Sequence, residues 1–190
     1  VGCGGPEIME RRFESELKEL KGRILTMGGF VEQAIERATQ GLAERDAKML
    51  EEVHQLERKI NDAHLAIDNH CLEILARHSP VAADLRLILA IIKINNDLER
   101  MGDQSVNISY NSEHYLEDKA VEVSLNLPKM AQQVRRMVRD SLDAFMRADV
   151  VLLGNSRAYR HFDFNVLSKE FGGQVANLAV PGGSMELSAA

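Results

Sequence analysis

PVAADLRLILAIIKINNDLERMGDQSVN, residues 80–107, decides how this chain folds. Read as a helix turning about 100° per residue, it sets Leu85, Leu89 and Ile92 on one face as a core stripe. The same face continues as Asn96, Glu99, Asp103 and Asn107, so an apolar row turns into carboxylates and amides. The other side carries Leu87, Ile91, Ile94, Leu98, Met101 and Ile108, and Arg86, Lys93, Asp97, Arg100 and Gln104 form a polar strip between. A helix apolar on two faces belongs in the middle of a bundle. Two carboxylates one turn apart on such a helix need cations or basic side chains, because unpaired charge is costly to desolvate.

Working outward, residues 13–42 repeat apolar side chains in three- and four-residue steps: Phe13, Leu17, Leu20, Ile24, Met27, Val31, Ala34, Ala38 and Leu42. This spacing predicts a long amphipathic helix with a coiled-coil-like seam. Gly28-Gly29 interrupts it at about 1 kcal/mol per glycine, which close approach of a neighbouring helix would offset. A second helix is expected over residues 48–77, with Leu50, Val53, Ile60, Ile67, Cys71 and Ile74 inward. Glu57, Asn61, His64 and Asp68 form a polar row along its edge. Ser79-Pro80 reads as an N-cap followed by proline in the first turn of the third helix. That helix is expected to run to about Tyr115.

Leu127-Pro128 starts a fourth helix, carried by Met130 or Ala131, Val134, Met137 or Val138, Leu142 and Phe145, and ending near Asp149. Short turns between such helices predict antiparallel packing. From Val150 the character changes to an apolar strand, a Gly-Asn-Ser turn, a helix around residues 164–171, a second strand and a glycine-rich turn. That alternation is α/β in kind and too short to bury its own core. The domain reading is a disordered extension over 1–8, a three-helix unit over 9–118, the first helix of an incomplete second unit over 119–149, and a truncated strand-helix-strand segment over 150–190.

The chain has 190 residues, 45% hydrophobic and 27% charged, which places it among globular rather than disordered sequences. Its net charge of -6 speaks against a nucleic-acid binder, and no apolar run is long enough for a membrane span. Cys3 and Cys71 make no metal or disulfide pattern, and Cys71 reads as a small core residue. A cytoplasmic setting is the expectation.

Glu99 and Asp103, at i and i+4, are able to ligate one metal ion or bridge two, with Glu57, Asn61, His64 and Asp68 as the nearest second wall. The plainer alternative is a helix surface whose acids pair with arginine and lysine. Residues 80–108 are similar to the signature of PhoU-type phosphate-signalling regulators. Pro80-Val81-Ala82 with Asp84-Leu85-Arg86 resembles the start of that family's third helix, and Glu99 to Asp103 resembles its E-x-x-x-D metal motif. Phe13, Leu17, Leu20 and Met27 match its first helix, and Leu127-Pro128 the opening of its fourth.

The resemblance implies an all-α antiparallel bundle of two three-helix units, of which this chain carries the first and part of the second. It implies multinuclear metal, iron or zinc, with ligation carried over to Glu99 and Asp103 and more weakly to Glu57 and Asn61. It implies restraint of the phosphate-sensing histidine kinase and the phosphate ABC transporter through protein contacts, and no catalytic reaction. The second unit's own acidic motif does not follow Asp149, so the apolar face of the first unit calls for cover by another chain, as in a homodimer.

Residues 150–157 resemble the nucleophile block of SGNH-type esterases and acyltransferases, with Asn155 where aspartate is usual, and residues 177–183 resemble the following oxyanion segment. In that alternative Ser156 attacks an acyl carbon, but His161 is too near in sequence to serve as its base. A third reading is a hybrid chain with no evolved function as a unit.

Overall fold

The computed structural model describes residues 6–117, 126–147, 150–152 and 175–177. Three long helices form the first unit: α1 (Pro6–Glu44), α2 (Ala47–His78) and α3 (Ala82–Glu117). Each packs on the other two. The joints are tight. Arg45 takes a positive φ of 55°, and Asp46 then caps α2, its carboxylate accepting from the Lys48 N–H at 2.9 Å. With so short a turn α2 runs back along α1, so that Arg37 pairs with Glu52 at 2.9 Å and Arg77 with Glu16 at 3.0 Å.

The α1 seam is buried as its spacing predicts: Leu20, Ile24, Met27, Val31, Ala34 and Ala38 are fully enclosed. On α2 all six inward residues are buried, from Leu50 to Ile74, and Leu56 joins them. Each fully buried leucine or isoleucine contributes about 1.5–3 kcal/mol from area removed from water. Where two helices come closest the residue is glycine. A Cβ on Gly41 would lie 2.8 Å from a Leu50 methyl, and one on Gly102 would lie 3.0 Å from Ile60 Cδ1.

Several expectations need correction. The stripe of Leu85 and Leu89 is not core: these residues are 38% and 47% exposed. The buried face of α3 is Ile88, Ile91, Asn95, Leu98, Gly102, Ser105 and Ser109, with Ala90 and Ile94 on its flank, and Met101 faces outward. Small and hydroxyl side chains continue this face because α2 runs close to it, and Ser109 Oγ donates to the Leu50 carbonyl at 2.9 Å. Ser79 is the left-handed C-cap of α2, at φ 47° and ψ 53°, with its N–H donating to Leu75 O. It is not the N-cap of α3, which begins two residues beyond Pro80. Nothing approaches a Cβ built on Gly29, so close helix packing does not explain that glycine.

The fourth helix, α4 (Leu127–Arg147), is described by itself. It buries Ala131, Val138, Leu142, Ala144 and Phe145, and leaves Met130, Val134 and Met137 about half exposed. Val134, expected inward, is therefore a surface residue. Beyond it, β1 (Val150–Leu152) and β2 (Val175–Asn177) pair in parallel, Val150 opposite Val175. Parallel neighbours need a crossover connection, and the residues between these two strands lie outside the described ones. The helix expected around 164–171 lies outside the described residues. No helix among the described residues is long and apolar enough to cross a membrane.

Candidate functional site

The polar row on α2 sits half-buried along the edge of its core stripe. Asn61 Nδ2 donates to Glu57 Oε1 at 2.5 Å, a one-turn pair on a single helix. One turn further, His64 Nε2 stands 3.6 Å from Asp68 Oδ2, beyond a good hydrogen bond. Asn95 crosses from α3 to this end of the row. It is fully buried, and its Nδ2 donates to Asp68 Oδ1 at 2.8 Å and to the His64 carbonyl at 3.0 Å. Asn95 Oδ1 and His64 Nδ1 are enclosed with no protein partner. A buried amide held from two directions fixes the register of α2 on α3, because sliding either helix would strand its donors.

Sequence reasoning passed over Asn95. Its spacing from Ile91, Leu98 and Gly102 was the available signal, since it places an amide in the middle of a buried face.

Glu99 and Asp103 lie one turn apart on the outer stripe of α3, Glu99 half-buried and Asp103 exposed. The four residues predicted to hold metal thus form two one-helix pairs, Glu57 with Asn61 and Glu99 with Asp103. Among the described residues no three His, Cys, Asp or Glu side chains gather so as to hold a metal ion. Asn61 Nδ2 donates to Glu57 Oε1, which occupies one carboxylate oxygen and leaves Asn61 Oδ1 and Glu57 Oε2 outside that bond. Iron or zinc would find no closed ligand set within the described part of one chain.

A second polar cluster, also missed, fastens the early part of α1 to the end of α2. Glu16 accepts from Arg77 at 3.0 Å and meets His78 Nε2 at 2.9 Å, while Phe13 packs on the His78 ring at 5.0 Å. Partial burial pushes the Glu16 carboxyl up, but hydrogen bonds from His78 and Arg12 and the charges of His78 and Arg77 outweigh it and hold the pKa below its ordinary value. Ser156, Asn155, His161 and the 177–183 segment, on which the acyl-transfer alternative depends, lie outside the described residues.

These features define an all-α protein built on an antiparallel three-helix unit, with acid-and-amide rows running along α2 and α3. Comparison with known proteins says what this helical part is similar to. Residues 24–111 match the family described as the PhoU domain. The chain is 38% identical over 145 residues to a phosphate-specific transport system accessory protein PhoU homolog of Pseudomonas putida, covering 76% of this chain and 57% of that protein. It is 31% identical over 139 residues to the phosphate-specific transport system accessory protein PhoU of Escherichia coli strain K12, covering 73% and 58%.

Among solved structures, PhoU from Pseudomonas aeruginosa superposes with a TM-score of 0.67 at 34% identity, covering 71% of this chain and 65% of that one. The phosphate transport system regulatory protein PhoU from Streptococcus pneumoniae gives 0.53 at 30% identity, covering 71% and 60%. The chain therefore spans under two thirds of the length of these relatives. Their names are those of accessory and regulatory proteins, not of enzymes.

Proposed function

We propose that this chain is a non-catalytic regulator of phosphate-specific transport that acts by protein contact. The observation that carries the proposal is the PhoU-domain match over residues 24–111. Relatives that share it are named accessory proteins of phosphate-specific transport systems. The surface suits contact work. Leu85 and Leu89 expose apolar area on α3 and lead along one stripe to Glu99 and Asp103, as Met130, Val134 and Met137 expose it on α4.

In this reading the chain works in the cytoplasm as a homodimer, and its partners are the phosphate ABC transporter and the phosphate-sensing histidine kinase. Any iron or zinc it holds sits at Glu99 and Asp103, with the remaining ligands from water or a second copy. A binding measurement against detergent-solubilised transporter and kinase tests the partner reading. Saturable binding of the folded chain supports it, and binding to neither contradicts it. Elemental analysis of purified wild type beside Glu99→Ala and Asp103→Ala tests the metal. Stoichiometric iron or zinc lost in both variants supports ligation, and metal-free wild type rejects it.

A further inference from the structure

We propose that the outer stripe of α3 docks an acidic amphipathic helix of a partner protein. This names the partner chemistry of the protein-contact reading above and rests on it. Leu85, Leu89, Ile92 and Asn96 follow one another at steps of four, three and four residues, all exposed or half-buried. They are the d, a, d and a positions of a heptad seam. From Leu85 to Asn96 the seam is about 17 Å long at 1.5 Å per residue, so a partner helix of about four turns covers it.

Charge selects the occupant. Arg86, Lys93 and Arg100, all exposed, take three successive e positions, the places that set partner choice in a coiled coil. Arg86 and Lys93 make no ion pair or hydrogen bond among the described residues. Arg100 meets Asp97 at 3.9 Å, a contact worth little between side chains 77% and 66% exposed. The g positions on the other flank are Ile88, Asn95 and Gly102, all buried, with Asn95 on Asp68 and Gly102 on Ile60 of α2. The seam thus has one open edge, and in a chain of net charge -6 that edge is basic at every heptad.

A helix with aliphatic residues along its own seam and carboxylates along one edge satisfies both features. It covers the apolar row and gives the cations their partners, and like charge at that edge would discourage other helices. α4 of a second copy has the wrong sign, since Arg135, Arg136, Arg139 and Arg147 outnumber Asp140 and Asp143. An anionic membrane surface suits the stripe less well. A helix lying in a membrane needs a broad free apolar face, whereas one flank of this row is packed on α2.

The test measures fluorescence anisotropy of two designed peptides of that length with the full chain. Both carry leucines at heptad spacing, one edged with glutamate and the other with lysine. The glutamate peptide should bind saturably, and the lysine peptide roughly tenfold more weakly or worse. Arg86→Glu with Lys93→Glu should reverse that preference. Leu89→Glu should weaken the glutamate peptide roughly tenfold or more, while Leu72→Glu, also at an exposed leucine but on α2, should leave it unchanged. Helix content by circular dichroism checks each variant. Where the double glutamate variant loses helix, Arg86→Gln with Lys93→Gln should bring the two peptides to equal affinity. No binding of the glutamate peptide, equal affinity of both for the wild type, or a preference that survives charge reversal overturns the proposal. Binding to phosphatidylserine-phosphatidylcholine vesicles that is lost on charge reversal overturns it too, by assigning the edge to a membrane. Binding to the solubilised transporter or kinase that ignores these substitutions overturns the docking edge and leaves the regulator reading standing. Binding to neither, with the peptide preference intact, contradicts the regulator reading alone.

Discussion

Gly102 of α3 rests against Ile60 of α2, so close that a Cβ there would stand 3.0 Å from Ile60 Cδ1 and 3.2 Å from Ile60 Cγ2. Ile60 is itself fully buried and β-branched, with little room to turn aside. Gly102→Val should therefore overpack the crossing and destabilise the chain by about 1–3 kcal/mol in spite of its better helix propensity. Urea unfolding of the two chains measures this, and equal or greater stability of the variant would show that the helices part without cost.

Asn95 spans the same pair of helices further along. Asn95→Ala removes its two donated bonds and leaves a small cavity in a fully buried position, which should cost about 1–3 kcal/mol. Asn95→Leu keeps the volume and removes an orphaned oxygen, so it should recover most of that loss. Thermal unfolding of both variants checks the order. Equal losses would mean the amide itself, not its volume, sustains the contact.

The Glu16 cluster makes part of the stability depend on pH. Its carboxyl pKa is depressed in the folded chain, so the contribution is present above the unfolded value near 4.5 and is lost as pH falls through the lower folded value. Glu16→Gln should lower Tm by a few degrees near pH 6–7, and the gap from wild type should close as the pH falls from 4.5 through the lower folded value. A gap that is constant with pH would show that the charge of Glu16 contributes nothing.

Cys71 is buried in the α2 seam, and burial, with Asp68 nearby, pushes its thiol up to about 12. In a Cys3→Ala background it should stay unreactive toward a disulfide reagent at pH 8 and react fully once denatured, because only the thiolate attacks. Rapid labelling of the native chain would contradict the buried placement.

Much of this architecture was legible in the sequence. Single apolar stripes flanked by polar residues made α1 and α2 plain, and the edge row from Glu57 to Asp68 lies half-buried where its spacing put it. α3 was harder because it offers two apolar faces, and periodicity does not say which one a neighbour covers. Leucines at 85 and 89 suggested core by size. The buried face was instead marked by Ser105, Ser109 and Gly102, which matter for how near α2 comes rather than for their own hydrophobicity. Ser79 misled for a similar reason: serine before proline suits an N-cap, but the chain needed a left-handed residue to leave α2 first. The candidate metal residues stand as separate pairs on α2 and α3, and which side chains converge depends on helix rotation, which one sequence does not fix.

The central claim, regulation of phosphate transport by contact, is tested most directly by phosphate uptake in phosphate-replete bacteria that lack their own PhoU-type protein and express this chain. The account predicts that uptake falls toward the regulated level and that Leu89→Glu, folded and equally abundant, loses most of the effect. Uptake unchanged by a folded, well-expressed wild-type chain would contradict it.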